Sequence, residues 1–128
     1  MPVGAVVVFP DGAHFVAENR TRRDRDPTAH AEILAIRAAC RARANERIED
    51  ATLFVTVEPC PMCAGAIAWA RIARVVYGAP EPKTGAVESR FALLGNRALW
   101  HRPKILAGVL EDEARALLQA FFVDKRGR

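Results

Sequence analysis

The chain has 128 residues, 51% of them hydrophobic and 27% charged, with a formal net charge of +4. That length and balance suit one ordinary globular domain over residues 1–128 and leave no room for a second. No apolar run approaches the roughly 18 residues that span a bilayer, and "MPVGAVVVFPDG" has neither the basic region nor the cleavage site of a signal peptide, so a cytoplasmic protein is expected.

In chain order, the β-branched run "VGAVVVF" (3–9) predicts a buried strand, "PDG" a turn, and "HFVAEN" (14–19) the returning strand of a hairpin. The segment 20–28, "RTRRDRDPT", is a polar loop. A helix is expected over about 29–43, with Ile33, Ile36 and Cys40 on one apolar stripe. "TLFVTV" (52–57) is a third strand, 60–71 a helix, and "RVVYGA" (74–79) a fourth strand. The following connection is long enough for a short helix over 88–95 and a crossover, so the strand at 104–110 is expected to run parallel to the fourth. A last helix over 111–125 carries acidic residues in its first turn, basic ones in its last, and an apolar stripe that includes Phe121 and Phe122. The order predicts an α/β domain of three α/β/α layers around a mixed five-stranded sheet, with helices on both faces.

The basic balance comes from 16 arginines and three lysines in loose groups, a composition that permits a polyanionic partner. Interleaved acids such as Asp24, Asp26, Glu46 and Glu49 allow the plainer reading of a solvated surface. Cys40, Cys60 and Cys63 are too few for a disulfide framework. Cys40, on the apolar stripe, reads as core, and His14 receives no role.

The chemistry lies in "HAE" (30–32) and "PCPMC" (59–63). Alone, C-x-x-C is a redox pair or half a structural zinc site, and H-x-E says almost nothing. Placed at the starts of two helices, His30, Cys60 and Cys63 make a three-ligand zinc site with one position open, the arrangement of a catalytic zinc. Glu32, beside the metal and not required as a ligand, is placed to take and return a proton. The joint pattern matches the known signature of zinc nucleobase deaminases.

"DPTAHAEI" (26–33), "DATLFVTVEPCPMCAGAI" (50–67) and "KTGA" (83–86) resemble the bacterial tRNA-specific adenosine deaminases of the cytidine-deaminase-like superfamily, and the likeness runs over nearly the whole chain. The resemblance implies one zinc ion per subunit on His30, Cys60 and Cys63, with Glu32 as proton shuttle. The implied reaction is attack of zinc hydroxide on C6 of adenine at the tRNA wobble position, with release of ammonia and formation of inosine. It implies that Asn19 meets the ribose and that the Ala31 N–H, Glu58 and Pro59 line the base pocket. It also implies a homodimer that binds the anticodon stem-loop. By residue type and place around the pocket mouth, Glu81, Lys83, His101, Arg102, Phe122 and Arg126 are possible RNA contacts, with helix-to-sheet packing the plainer reading for Phe122 and a surface position beside Trp100 for His101.

Two departures stand out. The family's helix before the first strand has no counterpart ahead of residue 3, so part of one sheet face is expected to be bare and apolar. The acidic residue before K-T-G is Glu81, set between two prolines in "PEPKTG", which bears on substrate choice. The alternatives are a deaminase of a free base or nucleoside (guanine, cytosine or cytidine) and a non-catalytic zinc-stabilised partner subunit.

Overall fold

The structure, a computed structural model, describes residues 3–108; the helix expected over 111–125, with Phe122 and Arg126, lies outside the described residues. The elements are β1 (Gly4–Val8), β2 (His14–Glu18), α1 (Ala31–Arg43), β3 (Thr52–Val57), α2 (Pro61–Ala70), β4 (Arg74–Ala79) and β5 (Lys104–Leu106). They form a five-stranded mixed sheet in the order β2-β1-β3-β4-β5. β1 is antiparallel to β2 and β3, whereas β4 is parallel to both β3 and β5. The expected parallel β4–β5 pair is present, with Val75 opposite Ile105.

Alternation along the strands sends Ala5, Val7, Leu53, Val55, Val75 and Tyr77 into the core. α1 and α2 contact each other and so share that face. Ala35, Ile36 and Ala39 of α1 are buried, together with Ala64 and Ile67 of α2. Alanine at these positions lets the helices lie close to the sheet, and full burial of Leu53, Val75 or Ile67 stabilises the fold by about 1.5–3 kcal/mol each. The buried stripe of α1 is thus rotated from the expected one: Ile33 and Cys40 are only half-buried, and the alanines face inward. Cys40 packs against the core, and burial raises its thiol pKa, consistent with a structural role.

Two expectations change. Residues 88–95 form a chain of turns and not a helix. The N–H groups of Val87, Glu88 and Ser89 are donated to the distant Glu58 carboxylate, and Ala92 sits in the left-handed region at φ 46°. β5 stops at Leu106, two residues before Gly108, whose φ of 75° breaks an extended path. Among the described residues both helices lie on one face, and the helix expected over 111–125 lies outside them. The opposite face carries an apolar row, Val16, Val6, Phe54, Val76 and Leu106, paired strand to strand across the sheet. Val16 is 73% exposed and Leu106 57%.

Candidate metal centre

Two helix N-termini meet at one end of the sheet. His30 is the N-cap residue of α1 and Cys60 that of α2, both with extended backbone. N-cap positions normally favour side chains that bond back to the helix. Neither His30 nor Cys60 does so, which frees the imidazole and the thiol to point at each other. Pro61 fills the first helical position of α2, where a missing N–H costs nothing.

The loop ahead of α1 is tied down before it delivers His30. Arg20 N–H donates to the Ala29 carbonyl at 2.9 Å, closing the 20–28 loop at its neck and bringing Asn19 alongside the approach to His30. Asp26 Oδ1 accepts from Thr28 N–H at 2.8 Å and from its hydroxyl at 2.6 Å. The Thr28 hydroxyl and N–H hold the Asp26 carboxyl below its ordinary pKa. His30 N–H then donates to the Thr28 carbonyl at 2.8 Å.

His30 Nδ1 lies 3.6 Å from Cys60 Sγ and 3.4 Å from Cys63 Sγ. The three donor atoms all fall within 4.8 Å of one another. A tetrahedral zinc with N and S bonds of about 2.05 and 2.3 Å requires N···S edges of about 3.6 Å, so the spacing fits that ion. The donor set fits as well: two sulfurs that can ionise and a neutral imidazole balance a divalent, borderline-soft cation. The sulfurs are already inequivalent. A hydrogen bond from Cys63 lowers the Cys60 thiol to about pKa 5, while that same bond and burial push Cys63 up.

Glu32 is in the first turn of α1, 4% exposed, and outside the three-residue donor cluster. Burial raises its pKa, against the opposing pull of its own backbone N–H, Cys63 and His30. A carboxyl that is next to the metal ligands, buried and not one of them suits proton transfer better than coordination. Ala31 is fully buried at the first helical position, where a backbone N–H has no partner further back in the helix.

Glu58 departs from its expected role. It is 3% exposed, and its carboxylate is engaged by the 81–89 segment and not turned to an open pocket. Burial opposes its ionisation, but the Ser89 hydroxyl and several backbone N–H groups outweigh it and hold the pKa below the ordinary value. Pro59 is buried and its carbonyl accepts from Ala86 N–H at 2.8 Å. Glu81 and Lys83 lie on this same segment, Lys83 N–H donating to Glu81 Oε1 at 3.1 Å. His101 and Arg102 sit elsewhere. They precede β5, at the end of the parallel strands opposite to Cys60, and His101 Nε2 is 2.7 Å from the Ile72 carbonyl. The tie of loop 81–89 to Glu58 was not foreseen. Its only signal in the sequence was a glutamate closing an otherwise apolar strand.

Residues 1–79 match the zinc-binding region of cytidine and deoxycytidylate deaminases. A tRNA-specific adenosine deaminase of Agrobacterium fabrum is 47% identical over 126 residues, 98% of this chain and 83% of that protein. A solved structure from a study of A-to-I editing by tRNA:A34 deaminases at the wobble position superposes with a TM-score of 0.85. It is 48% identical, and the match covers 89% of this chain and 83% of that one. A guanine deaminase from Bacillus subtilis superposes less fully, with a TM-score of 0.59 and 47% identity over 61% of this chain and 50% of that one.

Proposed function

The chain belongs to the tRNA-specific adenosine deaminases, zinc enzymes within the cytidine and deoxycytidylate deaminases, and we propose that it converts adenosine to inosine at the wobble position of tRNA. The reaction consumes one water and releases one ammonia. The observation that carries this reading is the cluster of His30, Cys60 and Cys63 with buried Glu32 beside it and outside it, on a chain so close to enzymes of that activity.

Zinc, when bound, acts as a Lewis acid that lowers the pKa of water to about 7. His30 and the two cysteines hold the ion at the mouth of the two helices. Glu32 takes the proton that the nucleophile gives up and returns it to the departing amine. Its burial keeps that proton from exchanging with bulk water during the step. Asn19, beside the neck of the 20–28 loop, takes the ribose, and the Ala31 N–H and Pro59 border the base. Glu81 and Lys83 meet the RNA at the rim. His101 and Arg102, at the far end of the strands, are left out of that rim.

Residues 1–128 act as one deaminase domain in this reading, in the cytoplasm where its RNA substrate resides. No described helix is long and apolar enough to cross a membrane. The active form is a homodimer, an assignment that rests on the family resemblance and that light scattering of the zinc-loaded protein tests directly.

The deciding assay is mass spectrometry of zinc-loaded protein with an anticodon stem-loop bearing adenosine at the wobble position, beside free adenosine, cytidine and guanine. Inosine in the stem-loop alone is the expected result. Turnover of guanine with the stem-loop untouched would move the chain toward the guanine deaminases. Activity on neither, with zinc bound, would favour a non-catalytic partner subunit.

A further inference from the structure

Five hydrogen-bond donors converge on one buried carboxylate. Glu58 Oε2 accepts from the backbone N–H of Val87 at 3.0 Å, Glu88 at 2.8 Å and Ser89 at 3.0 Å. Oε1 accepts from Glu81 N–H at 3.1 Å and from the Ser89 hydroxyl. The segment folds around this anion, while Ala86 and Val87 also pack into the core. Gly85 N–H closes the turn on the Glu81 carbonyl at 2.7 Å, and Ala86 N–H reaches the Pro59 carbonyl at 2.8 Å.

Gly85 reports how close that approach is. A Cβ there would overlap the Glu58 carboxylate and the Glu81 carbonyl oxygen. Space alone, and not an unusual backbone angle, demands glycine at this position. The charge on Glu58 also has a reason. Four of the five groups facing it are backbone N–H donors, and each oxygen meets at least one of them, so an amide NH2 in place of either oxygen would meet a donor with a donor. Two residues after Glu58 comes Cys60, so one side chain links the strand end that delivers a metal ligand to the loop that carries Glu81 and Lys83.

We propose that Glu58 is a positioning residue: its carboxylate organises the 81–89 loop and sets the rim of the substrate pocket beside Cys60, without touching substrate. This deepens the tRNA-deaminase reading and rests on it for the statement that the loop meets RNA. A buried glutamate that only stabilised the fold would alter melting and leave substrate binding alone.

The experiment compares zinc-loaded wild type with Glu58→Gln, Gly85→Ala and their double mutant, by amide hydrogen exchange and by stem-loop kinetics. Glu58→Gln is expected to keep its zinc. Exchange at Glu81, Val87, Glu88 and Ser89 should rise by about tenfold or more, as loss of hydrogen bonds to a charged acceptor implies. KM for the stem-loop should rise by about tenfold while kcat changes by less than about threefold, the signature of lost positioning. Gly85→Ala should reproduce the effect, and the double mutant should be little worse than either single, because both disrupt one contact. Ser89→Ala, which removes one donor from the loop side, gives a milder shift of the same kind and serves if Glu58→Gln fails to fold. Unchanged exchange at these amides would overturn the anchor. Raised exchange with an unchanged KM would overturn the positioning role. Wild type that ignores the stem-loop would overturn the functional reading, and exchange alone would then decide the anchor.

Discussion

Glu32 follows His30 by two residues on the first turn of α1, yet only His30 joins the donor cluster with Cys60 and Cys63. In the proposed reading, one helix start thus supplies both a ligand and the proton carrier. Glu32→Gln should therefore retain zinc and lose about 10²–10⁴-fold in kcat, the usual worth of a positioned general acid–base group. Metal content by plasma emission and single-turnover kinetics check this. Loss of zinc in that variant would make Glu32 a ligand and undo the assignment.

Cys63 is fully buried and its sulfur is 3.4 Å from His30 Nδ1, where a shared metal would reach both. Cys63→Ser should release most of the metal, and the melting temperature should fall toward that of chelator-treated wild type, since binding to the native state alone stabilises by mass action. Cys40→Ala should leave zinc content unchanged, because Cys40 packs against the core and its sulfur faces the Glu46 carbonyl. Equal zinc in the Cys63→Ser and wild-type proteins would remove Cys63 from the site.

At the other end of α1, Arg43 donates to both oxygens of Asp11 at 3.0 and 2.9 Å and lies 3.9 Å above the Phe9 ring. The Ala13 N–H and Arg43 lower the Asp11 pKa. A carboxylate depressed in the folded state contributes stability above its unfolded pKa of about 3.9, and loses it as pH falls through the folded value. The melting difference between wild type and Asp11→Asn should accordingly be flat from about pH 5 upward and shrink below about pH 4. Arg43→Ala should cost about 1 kcal/mol at neutral pH, since it removes the stacking on Phe9 as well. A difference that grows on acidification would contradict the sign of the Asp11 shift.

Much of this was readable from the chain because the signals were local. Short apolar runs between turn signals marked five strands, and Pro61 after a strand marked the start of α2. The metal centre was legible because His30 and Cys60 each sit at a helix start, so topology alone could bring them together. What could not be read depended on long-range pairing. Residues 88–95 have helix-forming neighbours, but the N–H groups of Glu88 and Ser89 go to Glu58 some 30 positions earlier. Likewise His101, whose residue type suits an RNA contact, is drawn to the Ile72 carbonyl by the course of the chain before β5. Ile33 was expected in the core because it is large and apolar, whereas the close approach of α1 to the sheet selected the alanines.

Asp26 offers a test of how the metal site is held from outside. Its side chain closes a turn on Thr28 through two short bonds, and its carbonyl accepts from Ala29 N–H at 3.1 Å. The Thr28 carbonyl in turn fixes the N–H of His30. Removing the Asp26 oxygens frees the last residues before a ligand whose ring must meet two sulfurs at once. Groups that orient metal ligands typically change affinity by about 10–100-fold when lost. Asp26→Ala should weaken zinc binding by about tenfold in competition with a chromogenic chelator. Asp26→Asn keeps an oxygen that accepts the same two bonds and should stay within about threefold of wild type. If Asp26→Ala binds zinc as tightly as wild type, the turn is dispensable and the helix start alone orients His30. If Asp26→Asn is as weak as Asp26→Ala, the negative charge matters to the metal, and the effect is electrostatic and not one of backbone order.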